Sequence, residues 1–410
     1  MNHQSQQGPS LNTDVLIYIM RFMEQRKHLL RMMWTCHCLY DSGLPILCGM
    51  TNVSLVRNKQ NLRMEPLSLT RMVSFTQFIL TNPKARGPLV RGLELDSPWS
   101  PDYSYDILPE FAKTLIELSN LEYLKIYELD RWLQLEPTLA PSLTALKNLK
   151  SVRFNQGDRH GGSTRPLLET IEAMASPIRV IDLRFRLLDR TSYNPFLFLR
   201  KFSATLEDIK TSNANLDNSS VAFHFLKTLK IMSLGEEMIS VKHLLNGAPN
   251  LKSLFLLPSY VHSSPDDVYT RTRDENIHTQ RTTSTWPSLE YIDGALEPLY
   301  SLGLQCHVRH VRIAQYLGNR TEVALWHAIA RDTNPTAISI LPQIGSLRVD
   351  ILRTLIPKTV GVNVKQLHVE MELDGIGNHI TVKRFLVGGT FLTALRGYQY
   401  IFSRQTLTQC

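Results

Sequence analysis

The sequence has few cysteines, no long apolar run and no block of like charges. Its five cysteines among 410 residues are odd in number, and the first ten residues are polar and rich in glutamine rather than similar to a signal peptide. We therefore expect reduced thiols and a cytoplasmic and/or nuclear location. Because no stretch of about 18 consecutive apolar residues is present, the sequence predicts no membrane-spanning segment and no membrane partner.

The usual signatures of catalysis and of metal or cofactor binding are also missing. The chain has no Gly-x-Ser-x-Gly elbow, no glycine-rich phosphate loop with its lysine and no His-Glu-x-x-His motif. Cys36-His37-Cys38 lacks the second ligand pair that a closed zinc site needs. The formal net charge of +8 is spread thinly along the chain and gives no indication of nucleic-acid binding. We expect a protein that is not an enzyme and that has no cofactor, no metal site and no nucleic-acid partner.

What the sequence has instead is a recurring template: apolar, two residues, apolar, one residue, apolar. Clear copies begin at residues 90, 121, 149, 178, 226, 251, 308 and 364, and weaker copies, which lose the last apolar position, begin at 206 and 289. The first four steps are 31, 28, 29 and 28 residues, and a degenerate copy, Pro335-Ile338-Ile340, lies in the long gap before the last copy. Such a period is typical of a solenoid, in which stacked repeats bury one another's apolar faces.

The segments Leu118-Ser119-Asn120-Leu121-Glu122-Tyr123-Leu124 and Ala248-Pro249-Asn250-Leu251-Lys252-Ser253-Leu254 resemble the leucine-rich repeat family in its long, irregular form. The resemblance implies an α/β fold, a leucine-rich-repeat solenoid with a parallel sheet on its concave face and helices outside. We expect it to cover residues 89–374, with return helices at 105–118, 166–175, 241–246, 322–331 and 346–355. Residues 258–285 are polar and lack apolar periodicity, which predicts a flexible insertion.

Other segments fall outside the repeat. Residues 1–10 are expected to be a disordered tail, 51–88 a linker with a helix from Leu69 to Thr81, and 375–410 an irregular C-terminal tail. The pattern of residues 11–50 predicts a helical module. Its first helix has apolar residues at helical spacing and a cap at Asn12 or Thr13. A second helical stretch follows, and Asp41-Ser42-Gly43 is expected to end it.

This module resembles the F-box. The resemblance lies in Leu11-Asn12-Thr13-Asp14-Val15-Leu16-Ile17-Tyr18-Ile19-Met20 and in His28-Leu29-Leu30-Arg31-Met32-Met33-Trp34-Thr35-Cys36-His37. Asn12 stands where the family has proline, and Thr35-Cys36 replaces Val-Cys. The segment Leu39-Tyr40-Asp41-Ser42-Gly43-Leu44-Pro45 is similar to the divergent F-box proteins of mushroom-forming (basidiomycete) fungi.

The F-box resemblance implies a role in a Skp–cullin–F-box ubiquitin ligase, in which the module binds a Skp-family adaptor, and through it a cullin, while the repeats recruit a protein substrate. The adaptor contact would carry over to seven residues: Leu11, Val15, Leu16, Ile19, Leu29, Leu30 and Trp34. One alternative is that these side chains only pack the first helices against the solenoid as a cap. Another is a leucine-rich-repeat scaffold with no ubiquitin-ligase link.

The template also predicts which side chains face solvent on the concave sheet. The residue between the last two apolar positions forms one column, in which basic residues outnumber acidic ones. Basic and aromatic groups together favour an acidic or phosphorylated protein substrate. The residues expected to bind it are Tyr123, Lys125, Arg153, Arg184, Lys210, Lys230, Tyr291, His310 and Arg312. The alternative is a charged face that only keeps the sheet soluble.

Overall fold

The computed structural model divides the chain into two compact units, residues 1–182 and 183–410, which are described separately. The residues described are 12–23, 25–50, 53–55, 67–95, 106–156, 165–185, 193–212, 214–216, 221–232, 239–257, 266–317, 320–342, 363–372 and 379–385. The expected disordered tail at 1–10 and the expected helix at 346–355 lie outside these ranges.

Unit 1 consists of helices followed by strand–helix repeats. Its elements are α1 (Thr13–Arg21), α2 (Arg26–Met33), α3 (His37–Met50), β1 (Val53–Leu55), α4 (Leu67–Thr81), α5 (Pro83–Arg86), β2 (Gly92–Leu95), α6 (Leu108–Glu117), β3 (Tyr123–Ile126), α7 (Leu129–Leu135), α8 (Leu139–Thr144), β4 (Ser151–Asn155), α9 (Arg165–Ala173) and β5 (Val180–Arg184), within which the unit boundary falls. Strands β1 to β4 pair in parallel, each with the next along the chain.

The helical module is built around one small apolar cluster. Met20 of α1, Leu29 and Met33 of α2 and Leu39 of α3 form its buried centre. The side chain of Asn12 accepts a hydrogen bond of 2.9 Å from the Asp14 N–H, which confirms the expected cap. The module therefore has a core of its own, which hides the inner face of α1.

The expected stop at Asp41-Ser42-Gly43 is wrong, because α3 continues through these residues to Met50. Gly43 lies where the helices approach closely: a β-carbon there would be 2.4 Å from Met33 Cγ and 2.5 Å from Met20 Cε. The glycine thus serves helix packing rather than helix termination.

Unit 2 continues the repeat. Its elements are α10 (Pro195–Phe198), β6 (Asp208–Thr211), β7 (Thr228–Ile231), α11 (Val241–Gly247), β8 (Ser253–Leu256), α12 (Asp266–Thr282), β9 (Ser288–Gly294), α13 (Leu296–Leu302), β10 (His307–Leu317), α14 (Arg320–Thr333), β11 (Ala337–Pro342), β12 (Gln366–Glu372) and β13 (His379–Phe385). Strands β6 to β12 pair in parallel in chain order, and β13 is antiparallel to β12.

Each described copy of the template coincides with one strand, which confirms the strand-per-repeat sheet of a leucine-rich-repeat-like α/β fold. In unit 2 the second apolar position forms a column in register, in which each member is at most 3% exposed: Ile209, Leu229, Leu254, Ile292, Val311, Ile338 and Leu367. In unit 1, Leu93, Leu124 and Val152 stack in the same way and are fully buried. The sheet therefore buries one face through the template itself.

Asparagines link successive repeats just before the strands. Asn120 Nδ2 donates to the Pro88 carbonyl at 3.0 Å, and Asn148 Nδ2 donates to the Ser119 carbonyl at 2.7 Å. In unit 2, Asn250 Nδ2 donates to the His224 carbonyl at 2.9 Å. Each bond satisfies a backbone carbonyl of the preceding repeat, which explains why asparagine precedes the leucine of the template at these turns.

The structure differs from the expected linker at 51–88 and from the expected irregular tail at 375–410. Residues 53–55 are not part of a linker, because Val53 and Leu55 lie opposite Leu93 and Leu95 in β1–β2 pairing. The expected irregular tail contains β13, whereas residues 386–410 lie outside the described part of the chain. The predicted helices near 69–81, 105–118, 166–175, 241–246 and 322–331 are confirmed by α4, α6, α9, α11 and α14.

The expected flexible insertion at 258–285 is wrong over most of its length, because residues 266–282 form α12. This helix buries polar side chains: Arg273, Asn276 and Gln280 are each less than 8% exposed. Asn276 Nδ2 donates to the carbonyls of Ile239 and Ser301, while its Oδ1 accepts from the Val241 N–H. A helix held by polar contacts has no apolar periodicity, so the pattern did not indicate it.

Candidate protein-binding surfaces

The first candidate surface is the outer face of α1. Val15, Tyr18, Ile19 and Phe22 follow one another at helical spacing, and they are 48%, 61%, 42% and 67% exposed. The rings of Tyr18 and Phe22 meet edge to face, with centroids 4.9 Å apart. We call these four residues the α1 face. Since Met20 and Leu16 occupy the inner side, α1 is apolar on two sides, and this is unusual for a helix whose outer side meets water.

The residues expected to contact an adaptor are distributed unevenly in the folded module. Val15 and Ile19 belong to the α1 face, and Trp34, at the end of α2, is 76% exposed. Leu16 and Leu30 are half-buried against the module core, and Leu29 is fully buried within it. Leu11 lies outside the described residues. Sequence reasoning left out Tyr18 and Phe22, although their spacing from Val15 was the signal that would have included them.

The second candidate surface is the sheet face opposite the buried template column, which we call the open face. In unit 1 its central column contains Glu94, Lys125 and Arg153 in register, with Asp182 beyond them. Glu94 lies 3.5 Å from Lys125 Nζ and accepts a 3.2 Å hydrogen bond from the Tyr123 hydroxyl. Burial, with the negative charge of Glu94, raises the pKa of Tyr123.

Arg153 in turn pairs with Asp182, with Nε and Oδ2 at 2.7 Å. Asp182 is almost fully buried, so its carboxylate holds the guanidinium of Arg153 from the protein side of the sheet. The three expected substrate-binding residues of unit 1, Tyr123, Lys125 and Arg153, therefore come together, but each already contacts a carboxylate. In the central column of the open face in unit 1, each cation is therefore paired with a carboxylate.

In unit 2 the open face carries a row of rings. Lys230 Nζ lies 4.4 Å above the Phe255 ring, and the Phe255 and Tyr291 rings are 5.1 Å apart. The Tyr291 and His310 rings meet edge to face at 4.9 Å, and His310 stacks on His368 at 5.7 Å. We call these five residues, Lys230, Phe255, Tyr291, His310 and His368, the unit-2 row. It crosses from β7 to β12 on half-exposed side chains.

Polar groups surround the end of the row that holds the histidines. His310 Nε2 and Ser339 Oγ are 2.7 Å apart, and Arg312 Nη1 lies 3.0 Å from Asp293 Oδ2. Burial, and then the nearby charges of His368, Arg312 and Arg309, lower the pKa of His310. Neutral histidine therefore predominates there near pH 7.

Of the residues expected to bind a substrate, Lys230, Tyr291 and His310 belong to the unit-2 row, and Arg312 pairs with Asp293 on the neighbouring strand. Lys210 is half-buried in the same column, in register with Lys230, and Arg184 is exposed on β5. Phe255 and His368 lie in the predicted column, but they are not among the residues expected to bind a substrate. Their importance follows from ring contacts across strands, which depend on register and cannot be obtained from one repeat at a time.

Within the described residues, no group of three or more histidine, cysteine or acidic side chains is arranged to hold a metal ion. Cys36 and Cys38 are exposed thiols at the start of α3. Of the helices that the structure describes, none combines the length and apolar character needed to cross a membrane.

Known proteins provide no family assignment for this chain. No family model matches the chain, and no curated protein matches it. Among solved structures, the chain is similar to the leucine-rich repeat-containing protein LegL7 from Legionella pneumophila, with 12% sequence identity, coverage of 80% of this chain and 92% of that chain, and a TM-score of 0.41. The assignment of the repeat fold rests on the strand register and the buried template positions.

Proposed function

We propose that this protein is the substrate-recognition subunit of a Skp–cullin–F-box ubiquitin ligase. In this role the helical module binds the Skp adaptor, the repeat sheet recruits a protein substrate, and the chain itself catalyses no reaction. Such a subunit would act in the cytoplasm, the nucleus or both. The observation that carries the proposal is the α1 face, an exposed apolar stripe on a helix whose other side is already packed.

The reasoning from this stripe to an adaptor has two steps. A module with a filled core does not need four more large apolar side chains on its surface, and leaving them in water is unfavourable compared with burying them. The helix that carries them is also the one whose sequence resembles the first F-box helix, so an adaptor is the partner that fits both observations. The coarser proposal, a repeat scaffold that binds proteins, rests on the type of fold alone.

A double substitution on the α1 face tests the adaptor contact. In Val15→Glu/Ile19→Glu both new carboxylates can reach water in the free protein, since the parent side chains are nearly half exposed. An adaptor that covers them would bury unpaired charge, and we expect affinity to fall by at least about 100-fold. The measurement is binding of purified Skp adaptor by the full chain, with circular dichroism as the check on folding.

The matched control is Thr13→Glu/His28→Glu, which adds two carboxylates to exposed polar positions of α1 and α2. It should bind the adaptor like the parent. Equal binding by the α1-face variant would move the docking site elsewhere. A parent protein that binds no Skp adaptor would reject the ligase role and leave the scaffold function, with no ubiquitin link, as the better assignment.

A further inference from the structure

The unit-2 row is a continuous surface rather than a set of separate side chains. Each member contacts the next at 4.4 to 5.7 Å, from a lysine on β7 to a histidine on β12. Strands β7 and β12 are five strand spacings apart in the sheet, which is about 24 Å. An extended peptide of about seven residues has the same length.

The charge of this row differs from that of the open face in unit 1. In unit 1 both cations of the column pair with carboxylates, Lys125 with Glu94 and Arg153 with Asp182. Lys230, in contrast, makes no ion pair with any residue that the structure describes, and its contact is the Phe255 ring. At the other end, the charges that act on His310 all come from basic groups, on His368, Arg312 and Arg309. The row therefore offers a cation at the Lys230 end, and at the other end a group of basic side chains in which Arg312 is paired with Asp293 and His310 is neutral near pH 7.

We propose that the unit-2 row binds an extended, carboxylate-rich segment of a partner protein. The inference rests on the proposed function, since it gives the chemical class of the substrate, but it is tested without the adaptor. Carboxylates meet Lys230 at one end and the histidine pair at the other, and apolar side chains of the segment pack on Phe255 and Tyr291. Side-chain pockets along an open sheet face provide this kind of recognition.

The spacing of the charges favours several carboxylates over one phosphate. A phosphate group is small and is held by cations clustered around it. Here Lys230 and His368 lie on strands that are five positions apart, with aromatic rings between them. A segment in which acidic and apolar residues alternate matches this arrangement along its whole length.

Binding of such a segment should also be coupled to pH. The groups that face His310 are Tyr291 on β9, Arg309 and Arg312 on its own strand, Ser339 on β11 and His368 on β12. The basic members of this set oppose a further positive charge, and an incoming carboxylate removes that opposition. The bound state then takes up a proton, so affinity should rise as the pH falls from about 7.5 to about 6.

The test uses a fluorescein-labelled seven-residue peptide in which Glu alternates with Phe and Ala, and fluorescence anisotropy with the full chain. A matched peptide with Gln in place of Glu should bind about tenfold more weakly or not at all. Lys230→Gln should weaken binding of the acidic peptide by about fivefold, and Phe255→Ala should weaken it by a similar factor.

The matched control variant is Lys227→Gln, which removes the same charge three residues earlier from a lysine that pairs with Glu207 at 2.8 Å, off the row. It should bind like the parent. Equal loss in Lys227→Gln and Lys230→Gln, or equal binding of the Glu and Gln peptides, would overturn the proposal. Tighter binding of a peptide with a single phosphoserine than of the Glu peptide would also overturn it. None of these results depends on the Skp adaptor, so failure here leaves the adaptor test undecided.

Discussion

At the scale of single residues, buried polar side chains determine how the irregular parts of the repeat are held. Asn276 is 3% exposed and bonds to three backbone groups on two segments, the Ile239 carbonyl and the Val241 N–H on one and the Ser301 carbonyl on the other. An amide side chain can donate and accept at once, and here both capacities are used. Its role is that of a connector between α12 and its neighbours.

We expect Asn276→Ala to lower the free energy of unfolding by about 3 kcal/mol, because it leaves one backbone N–H and two carbonyls buried without their partner. The measurement is the midpoint of urea denaturation. Asn246→Ala, the same change at an exposed position of α11, serves as the control and should leave the midpoint unchanged. Equal effects of the two substitutions would show that Asn276 is not a connector.

Gly294 shows at the same scale why a template copy can be incomplete. It lies opposite Leu256 in the β8–β9 pairing, and a β-carbon at this position would be 2.5 Å from the Leu256 carbonyl oxygen. No apolar side chain fits there, so the copy that starts at Leu289 ends in glycine. The weak copy marks a close approach of two strands and still forms a strand.

At the scale of elements, α12 is the case in which pattern and structure disagree. Arg273 of α12 forms an ion pair with Asp332 of α14, with side-chain exposures of only 8% and 12%. It also donates a 3.0 Å hydrogen bond to the Tyr300 carbonyl and lies over the Tyr300 ring. One long side chain therefore joins α12 to both α13 and α14.

Removing only one partner of this ion pair should destabilise the protein. Arg273→Met leaves the Asp332 carboxylate buried without its partner, and we expect a loss of about 3 kcal/mol in the free energy of unfolding. In Arg273→Met/Asp332→Asn the charge is gone, and about 1 kcal/mol or more of that loss should return. A double-mutant cycle from chemical denaturation gives both values.

The control for this cycle is Arg271→Met, the same substitution at an exposed position of the same helix. It should change stability little, since exposed charges contribute little. A double variant that is as unstable as Arg273→Met alone would show that lost packing of the arginine stem, and not the unpaired carboxylate, causes the destabilisation.

At the scale of the whole molecule, the formal net charge of +8 attracts any acidic partner, whether or not a defined site exists. Lys227→Gln and Lys230→Gln lower this net charge equally, so they share the general attraction and differ only in position. Raising the salt concentration from about 0.05 M to about 0.5 M should weaken peptide binding by both variants and by the parent.

The difference between the two variants should persist at the higher salt concentration, because contacts at a partly buried row are screened less than long-range attraction. The measurement is anisotropy titration with the acidic peptide at both salt concentrations. Disappearance of the difference at about 0.5 M would indicate that the row contributes only through overall charge.

The sequence by itself determined the repeat. An apolar residue that recurs with the template spacing must stack on its counterparts to leave water, so the strands at Leu124, Leu254 and Val311 and their burial could be predicted. The same pattern is present at Met50, Val53 and Leu55 and would have predicted β1. It likewise predicted the first module helix and a cap at Asn12 or Thr13, of which the structure shows Asn12, because these depend on contacts between near neighbours in the chain.

Only the tertiary structure decided what depends on contacts between distant residues. The order of α12 comes from polar partners 25 to 59 positions away along the chain, which no local pattern contains. The pairing of Arg153 with Asp182, and the ring contacts from Phe255 to His368, require strands in register. Whether a side chain at a predicted surface is neutralised or offers its charge therefore depends on its neighbours across the sheet, because electrostatic interactions act over distances in space and not along the sequence.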